Sequence, residues 1–273
     1  MQKSRVIALA SLNLLLSIFG TVMNSLVAFV ILKNKNLQKG LNLLILSLST
    51  ADLLNCVVAQ PMYVHAILHC TDEDSTFQLA LMVVALITLH ASTANLLVLT
   101  LYRWRALSLR FAHHLLLSKK QVLIAITVVW LLSICAGVFF ATSLGKLVSP
   151  YLHLAMILTW VAGYIGLFRL VQKRKRKIAS LEGSPTSQFQ TASLEYENEA
   201  VKTSAILVGS SLICFLPDLT FEFMGRADEN RLAWVFTVLF LSSCLNPCLF
   251  IWRSHHFRTA LGKAFHHFPR DQK

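Results

Sequence analysis

The run from Leu79 to Tyr102 holds 24 consecutive residues without an Asp, Glu, Lys or Arg, and it ends in Tyr102-Arg103-Trp104-Arg105. As a helix it is roughly 36 Å long at about 1.5 Å per residue, enough to cross the hydrocarbon of a bilayer. Its interior is not uniformly apolar. Thr88, Ser92, Asn95 and Arg103 follow one another at spacings of 4, 3 and 8, so they share one helical face. A polar stripe is costly against lipid. This face is therefore expected to point at other protein, with the segment as the central post of a helical bundle.

The rest of the chain agrees with that setting. Only 14% of the 273 residues are charged and 55% are hydrophobic, whereas a soluble domain carries about 25% charged residues. Seven apolar stretches are long enough to span, at roughly 6–32, 41–69, 79–103, 121–144, 150–170, 201–224 and 232–252. The expected fold is an all-α membrane protein in two parts. Residues 1–252 form a seven-transmembrane bundle with an inner loop at about 173–199, and residues 253–273 form an amphipathic eighth helix and a short tail.

Charge placement orients the bundle. Of the 25 Lys and Arg, 20 fall at the base of span 6 or in the segments after spans 1, 3, 5 and 7, with the cluster Lys173 to Lys177 the densest. The opposite side carries the acidic loop Asp72, Glu73, Asp74. By the positive-inside rule the N-terminus is outside and the C-terminus cytoplasmic, in a multi-pass plasma-membrane protein. The net charge of +12 is then a topology signal and a draw toward anionic inner-leaflet lipid, and nucleic acid is not an expected partner. Five of the six cysteines lie in apolar spans. Cys70, near the outer face, has no outer-loop partner, so no structural disulfide is expected.

Within the spans a few polar groups stand out. Asn24 sits in mid-membrane in span 1 and needs an interhelical partner. Asp52 is the one acid in the inner half of the membrane, and such a carboxylate must be paired, protonated or bound to a cation. Pro61 is expected to kink span 2. Ser180 to Tyr196, rich in Ser, Thr, Gln and Gly, reads as a flexible inner loop with possible phosphorylation sites. After span 7, Phe257, Leu261, Phe265 and Phe268 recur at helical spacing among basic residues and histidines, the pattern of a helix lying on the membrane surface.

Taken in order, these features resemble the class A, rhodopsin-like G-protein-coupled receptors. Gly20-x-x-x-Asn24 and Leu48-Ser49-Thr50-Ala51-Asp52 look like the first two helices of that family. Tyr102-Arg103-Trp104 is similar to its Asp-Arg-Tyr triplet with only the Arg kept, and Trp130 matches its helix 4 tryptophan. Cys214-Phe215-Leu216-Pro217 resembles Cys-Trp-x-Pro, and Asn246-Pro247-Cys248-Leu249-Phe250 resembles Asn-Pro-x-x-Tyr. The match covers residues 6–268. Several positions depart from the pattern: Tyr102, Trp104, Phe215 and Phe250 replace the family residues, and Gln78 stands near the place of the usual helix 3 cysteine.

The resemblance implies a receptor, not an enzyme. It would pass the signal of a small-molecule or peptide ligand to a heterotrimeric G protein. The implied activation switch is Arg103, Tyr164, Phe215, Pro217, Asn246, Pro247 and Phe250, with Asn24 and Trp130 structural. Asp52, Ser92, Ser242, Ser243 and Asn246 correspond to the family's sodium pocket, and their oxygens suit a hard cation as an allosteric ion. No other cofactor is expected. The implied ligand pocket takes in Ala85, Leu89, His90, His153, Asp218, Glu222, Phe236 and Phe240. Ala85 stands where amine receptors have an Asp and Phe240 where opsins have the retinal Lys, so neither type fits. In one reading Asp218 and Glu222 meet a cationic or amide ligand. In the other, Asp218 pairs internally with His90 or His153. With Tyr102 in place of the Asp, raised basal activity is expected, and Glu197 or Glu199 is a substitute partner for Arg103. The eroded motifs also fit a signalling-silent partner or scaffold in a receptor heteromer.

Overall fold

A computed structural model describes residues 3–38, 40–69, 76–108, 118–179, 185–224 and 229–266. It has the expected seven-helix bundle followed by an eighth helix: α1 (Lys3–Lys33), α2 (Leu41–His69), α3 (Thr76–Ser108), α4 (Lys119–Ala141), α5 (Ser143–Ala179), α6 (Pro185–Met224), α7 (Glu229–Arg253) and α8 (His255–His266). Each of α1 to α7 contains a stretch long and apolar enough to cross a membrane.

α1 shows why the bundle is built for lipid. Leu9, Asn13, Ser17, Gly20, Asn24, Val27 and Ile31 are buried and recur at spacings of 3 and 4. Leu15, Ile18, Phe19 and Val22 on the other faces are exposed. The inward face is thus the more polar and smaller one, the arrangement expected where lipid removes the hydrophobic drive between helices. Gly20 allows the closest approach. A Cβ there would lie 2.4 Å from the Cys56 sulfur on α2 and 2.9 Å from the Cys244 sulfur on α7.

α3 is the central post. Thr88, Ser92, Asn95 and Arg103 are all buried, and α3 packs on α2, α4, α5 and α6. The apolar core joins Val27, Leu44, Leu96, Trp160, Leu207 and Phe250 from six helices. α8 docks by Phe257, whose ring meets that of Phe250 edge-on at 5.1 Å. Leu261 is half-buried on the same side, and Arg258 and Lys263 are exposed. The side chains of Phe265 and Phe268 lie outside the described residues, as do Cys70 and the acidic loop 72–74.

Two expectations are corrected, and span 2 holds a feature beyond the proline at Pro61. The turn just before it, Asn55–Ala59, is widened to a π-helix, which accommodates the missing donor and bulky ring of the proline. The break expected between the spans at 121–144 and 150–170 is not a loop. Thr142 ends α4 and caps α5, its hydroxyl accepting from the Gly145 amide at 3.1 Å, so residues 143–150 are helical. The inner loop expected at about 173–199 is also largely helical, because α5 runs to Ala179 and α6 begins at Pro185. Leu194 and Val201, seven apart on one face, pack with Leu107, Leu167 and Val171 and hold this extension against α3 and α5.

Candidate functional site

The deepest polar centre forms where α1, α2, α3 and α7 meet. Asp52 is fully buried, and its Oδ2 accepts from Asn246 Nδ2 at 2.9 Å. Asn246 also lies 3.5 Å from the Ser92 hydroxyl. Asn24 donates to the Gly20 carbonyl and to the Ser243 carbonyl, each at 3.0 Å, tying α1 to α7. Ser92 and Ser243 both turn hydroxyls toward Asp52. Ser242 does not join them, because its hydroxyl donates to the Leu239 carbonyl of its own helix at 2.6 Å. Three oxygens of this centre, Asn24 Oδ1, Asp52 Oδ1 and Asn246 Oδ1, are buried without a hydrogen-bond partner. A carboxylate, amide oxygens and hydroxyls are hard donors, the set that suits an alkali or alkaline-earth cation.

The widened turn of α2 extends this centre in a way the motifs did not signal. Asn55 donates to the Ser243 hydroxyl at 2.9 Å and accepts from Thr88 at 3.1 Å. One turn further, Gln60 reaches Asn13, which donates to Thr237 at 2.9 Å. Asn13, Asn55 and Gln60 are completely buried. Their signal in the sequence is an amide inside an apolar run, the property that singled out Asn24.

The Arg103 end of the bundle holds the other motif residues. Arg103 is buried, and Thr100 one turn before it donates to the Tyr164 hydroxyl at 3.2 Å. Tyr102 is buried with its hydroxyl over Gly40, whose φ of +43° and lack of a Cβ leave room for it. Glu199 is engaged by Lys202 at 2.6 Å and by Arg253 at 2.5 Å, not held in reserve for Arg103. Lys202, then the Arg253 guanidinium, holds its carboxyl below the usual range. Glu197 has no described side chain. Trp130 donates to the Ser47 hydroxyl at 3.2 Å and ties α4 to α2.

At the opposite end the expected ligand pocket divides. Ala85 and Phe240 pack with Tyr63 and Leu81 in one apolar cluster, and Leu89 packs with Phe215 and Leu239 in another, with Phe236 against both. Tyr63 donates to the Ala233 carbonyl at 2.8 Å. The polar members gather instead between α5 and α6. His153 Nδ1 lies 3.3 Å from Glu222 Oε2 and 4.0 Å from Asp218 Oδ2. Ser149 donates to Glu222 Oε1 at 2.6 Å. Its place here depends on the helical start of α5, which sets it one turn before His153. His90 is a wall of this site, not the partner of Asp218. Its Nδ1 bonds the Leu86 carbonyl at 2.7 Å, and its ring stacks on Phe140 at 5.0 Å.

Comparison with known proteins agrees with the motif order. Residues 23–150 match the family model described as 7 transmembrane receptor (rhodopsin family). Cannabinoid receptor 2 of Mus musculus is 25% identical over 93% of this chain and 80% of its own length. Galanin receptor 2a of Danio rerio is 27% identical over 90% and 74%. Histamine H2 receptor of Cavia porcellus is 25% identical over 89% and 75%. The crystal structure of squid rhodopsin has the same fold, with a TM-score of 0.85 over 97% of this chain and 86% of that one, at 16% identity. The chain is a multi-pass membrane protein with the fold of squid rhodopsin, and it is similar to the rhodopsin-like family of seven-transmembrane receptors.

Proposed function

We propose that this chain is a plasma-membrane receptor, N-terminus outside, that converts ligand binding at its Glu222 end into activation of a heterotrimeric G protein at its Arg103 end. The observation that carries the reading is the bond from Asn246 to Asp52. It joins α2 to α7 beside Pro247, where α7 lacks a backbone donor and can yield, and it borders Ser92 on the face of α3 that ends in Arg103. A change in helix packing at this centre is therefore felt along the central post. A sodium ion among the Asp52, Ser92, Ser243 and Asn246 oxygens would add ligands to the packed arrangement and favour the quiet state. Opening is then a hinge of α6 about Pro217 that bares Arg103 to the G protein. Tyr102 carries no charge where the resembled triplet has an Asp. Basal signalling above that of a receptor with Asp at position 102 is the expected consequence.

A second reading, a signalling-silent subunit of a receptor heteromer, is favoured by Phe250. Its ring packs on Phe257 and offers no hydroxyl where the family's tyrosine has one. Basal G-protein activation in cells separates the two, with Arg103→Ala and Asp52→Asn beside the native chain at matched surface levels. Signal lost in Arg103→Ala supports the first reading. Absence of signal across all G-protein classes from a normally displayed native chain supports the second.

A further inference from the structure

We propose that His153, Asp218, and Glu222 bind a divalent transition-metal ion, Zn2+ in the first instance, between α5 and α6. The site lies in the polar half of the ligand pocket proposed above, but it stands without any claim about signalling. One ligand atom from each residue lies within 4.8 Å of the other two. In a tetrahedral zinc site with bonds of about 2.1 Å, ligand atoms are roughly 3.4 Å apart. The His153–Glu222 separation of 3.3 Å already has that value, and the His153–Asp218 separation of 4.0 Å closes with a small side-chain shift.

Charge points the same way. Asp218 and Glu222 are one turn apart on one face of α6, and like charges so placed repel. Their side chains are only 19% and 22% exposed, so water screens them poorly. His153 can supply at most one positive charge against two carboxylates, whereas a divalent ion on a neutral imidazole balances both. Ser149 is buried and donates to Oε1 of Glu222, which leaves Oε2 facing His153 and fixes the carboxylate as an outer hydrogen bond fixes a metal ligand. The imidazole selects zinc or copper over calcium and magnesium, which take six or more oxygens.

The test is Zn2+ titration of the purified receptor in lipid nanodiscs after chelator stripping, followed with a competing zinc dye. The native chain should bind one more equivalent than His153→Ala, Asp218→Asn or Glu222→Gln, with about 10-fold weaker binding in Ser149→Ala and no competition from Mg2+. Removing the exposed pair His65 and His69, whose rings lie 4.4 Å apart on α2, should leave that equivalent in place. X-ray absorption should show nitrogen and oxygen donors at about 2.0–2.2 Å. Zinc binding unchanged in the three variants, sulfur donors in the spectrum, or no saturable binding below about 1 mM in a folded native chain would overturn the proposal.

Discussion

The two carboxylate sites of this bundle solve one problem in opposite ways. Asp52 is fully buried, and its neighbours are an amide and hydroxyls contributed by α3 and α7. Asp218 and Glu222 are partly exposed, and their neighbour is an imidazole on the adjacent helix. Depth decides the difference. Far from water a carboxylate must be solvated by fixed dipoles, which only converging helices can supply. Nearer the rim a titratable partner suffices. The supporting helices differ accordingly: more than half of the apolar stretch of α2 and α7 is buried, against less than a quarter of α5. The deep site is thus part of the packing, whereas the rim site can change its occupant without unpacking the bundle.

The sharpest way to break that contrast is Asp52→Ala. It leaves the Asn246 amide with only the long contact to Ser92, and an unmade buried hydrogen bond costs about 1–3 kcal/mol. Thermal melting of the purified receptor should drop clearly in Asp52→Ala and in Asn246→Ala, and a double-mutant cycle should show that the two losses are largely the same loss. Asp52→Asn keeps a side-chain acceptor for Asn246 and should melt close to the native chain. A native-like melt in Asp52→Ala would mean that the deep site is a passenger in the packing.

Asn55→Ala comes next. Asn55 joins Thr88 on α3 to Ser243 on α7 through two bonds, and interhelical bonds in membranes average about 0.6 kcal/mol with a ceiling near 1.7 kcal/mol. A melting loss smaller than that of Asp52→Ala but still measurable is expected. Loss equal to that of Asp52→Ala would extend the deep site outward to include the widened turn.

How much of this was legible beforehand follows the same division. The seven spans follow from apolar length alone, because every buried backbone group in a bilayer must be bonded within its own helix. The face Thr88, Ser92, Asn95, Arg103 follows from period 3.6, and Asp52 with Asn246 follows from motif order. Asn55 carries the same signal as Asn24, an amide in an apolar run, but its partners were not legible because they depend on a π-helical turn, which changes the direction of a side chain without changing composition. Ser149 was hidden by reading 145–150 as a loop, since glycine and proline are loop signals that here fall inside a helix. Leu194 was hidden by its polar surroundings, although Val201 lies seven residues on along the same face. Ser242 was included by motif position, and its hydroxyl donates to the Leu239 carbonyl of its own helix, a rotamer that no sequence rule fixes.

At the rim, Glu222→Ala should cost the bundle little. It releases Ser149 and His153, both on a peripheral helix, and roughly half a kcal/mol is expected for such membrane hydrogen bonds. Melting of Glu222→Ala in the presence of a zinc chelator should therefore fall well short of the drop in Asp52→Ala. An equal drop would place the rim site in the packing and erase the contrast between the two.

The smallest effect belongs to a carboxylate outside the membrane. Glu199 holds Lys202 and Arg253 while its own side chain is 56% exposed, so water and salt screen both pairs. Its carboxyl sits below the usual value of 4.5 because of the Lys202 hydrogen bond first and the Arg253 charge after it. A depressed folded-state value means that the pairs stabilise the fold above the unfolded value, and that this contribution disappears as pH falls through the lower folded value. The melting gap between the native chain and Glu199→Gln should be small and constant from about pH 8 to pH 5, close at lower pH, and shrink in roughly 1 M salt. Asp52 is fully buried, so the gap of its own variants should not close in salt, and sodium bound beside it should widen that gap. A gap at Glu199 that ignores salt would mean the pair is more enclosed than its exposure suggests, and would make α6–α7 pairing at this end a second packing element in place of a surface contact.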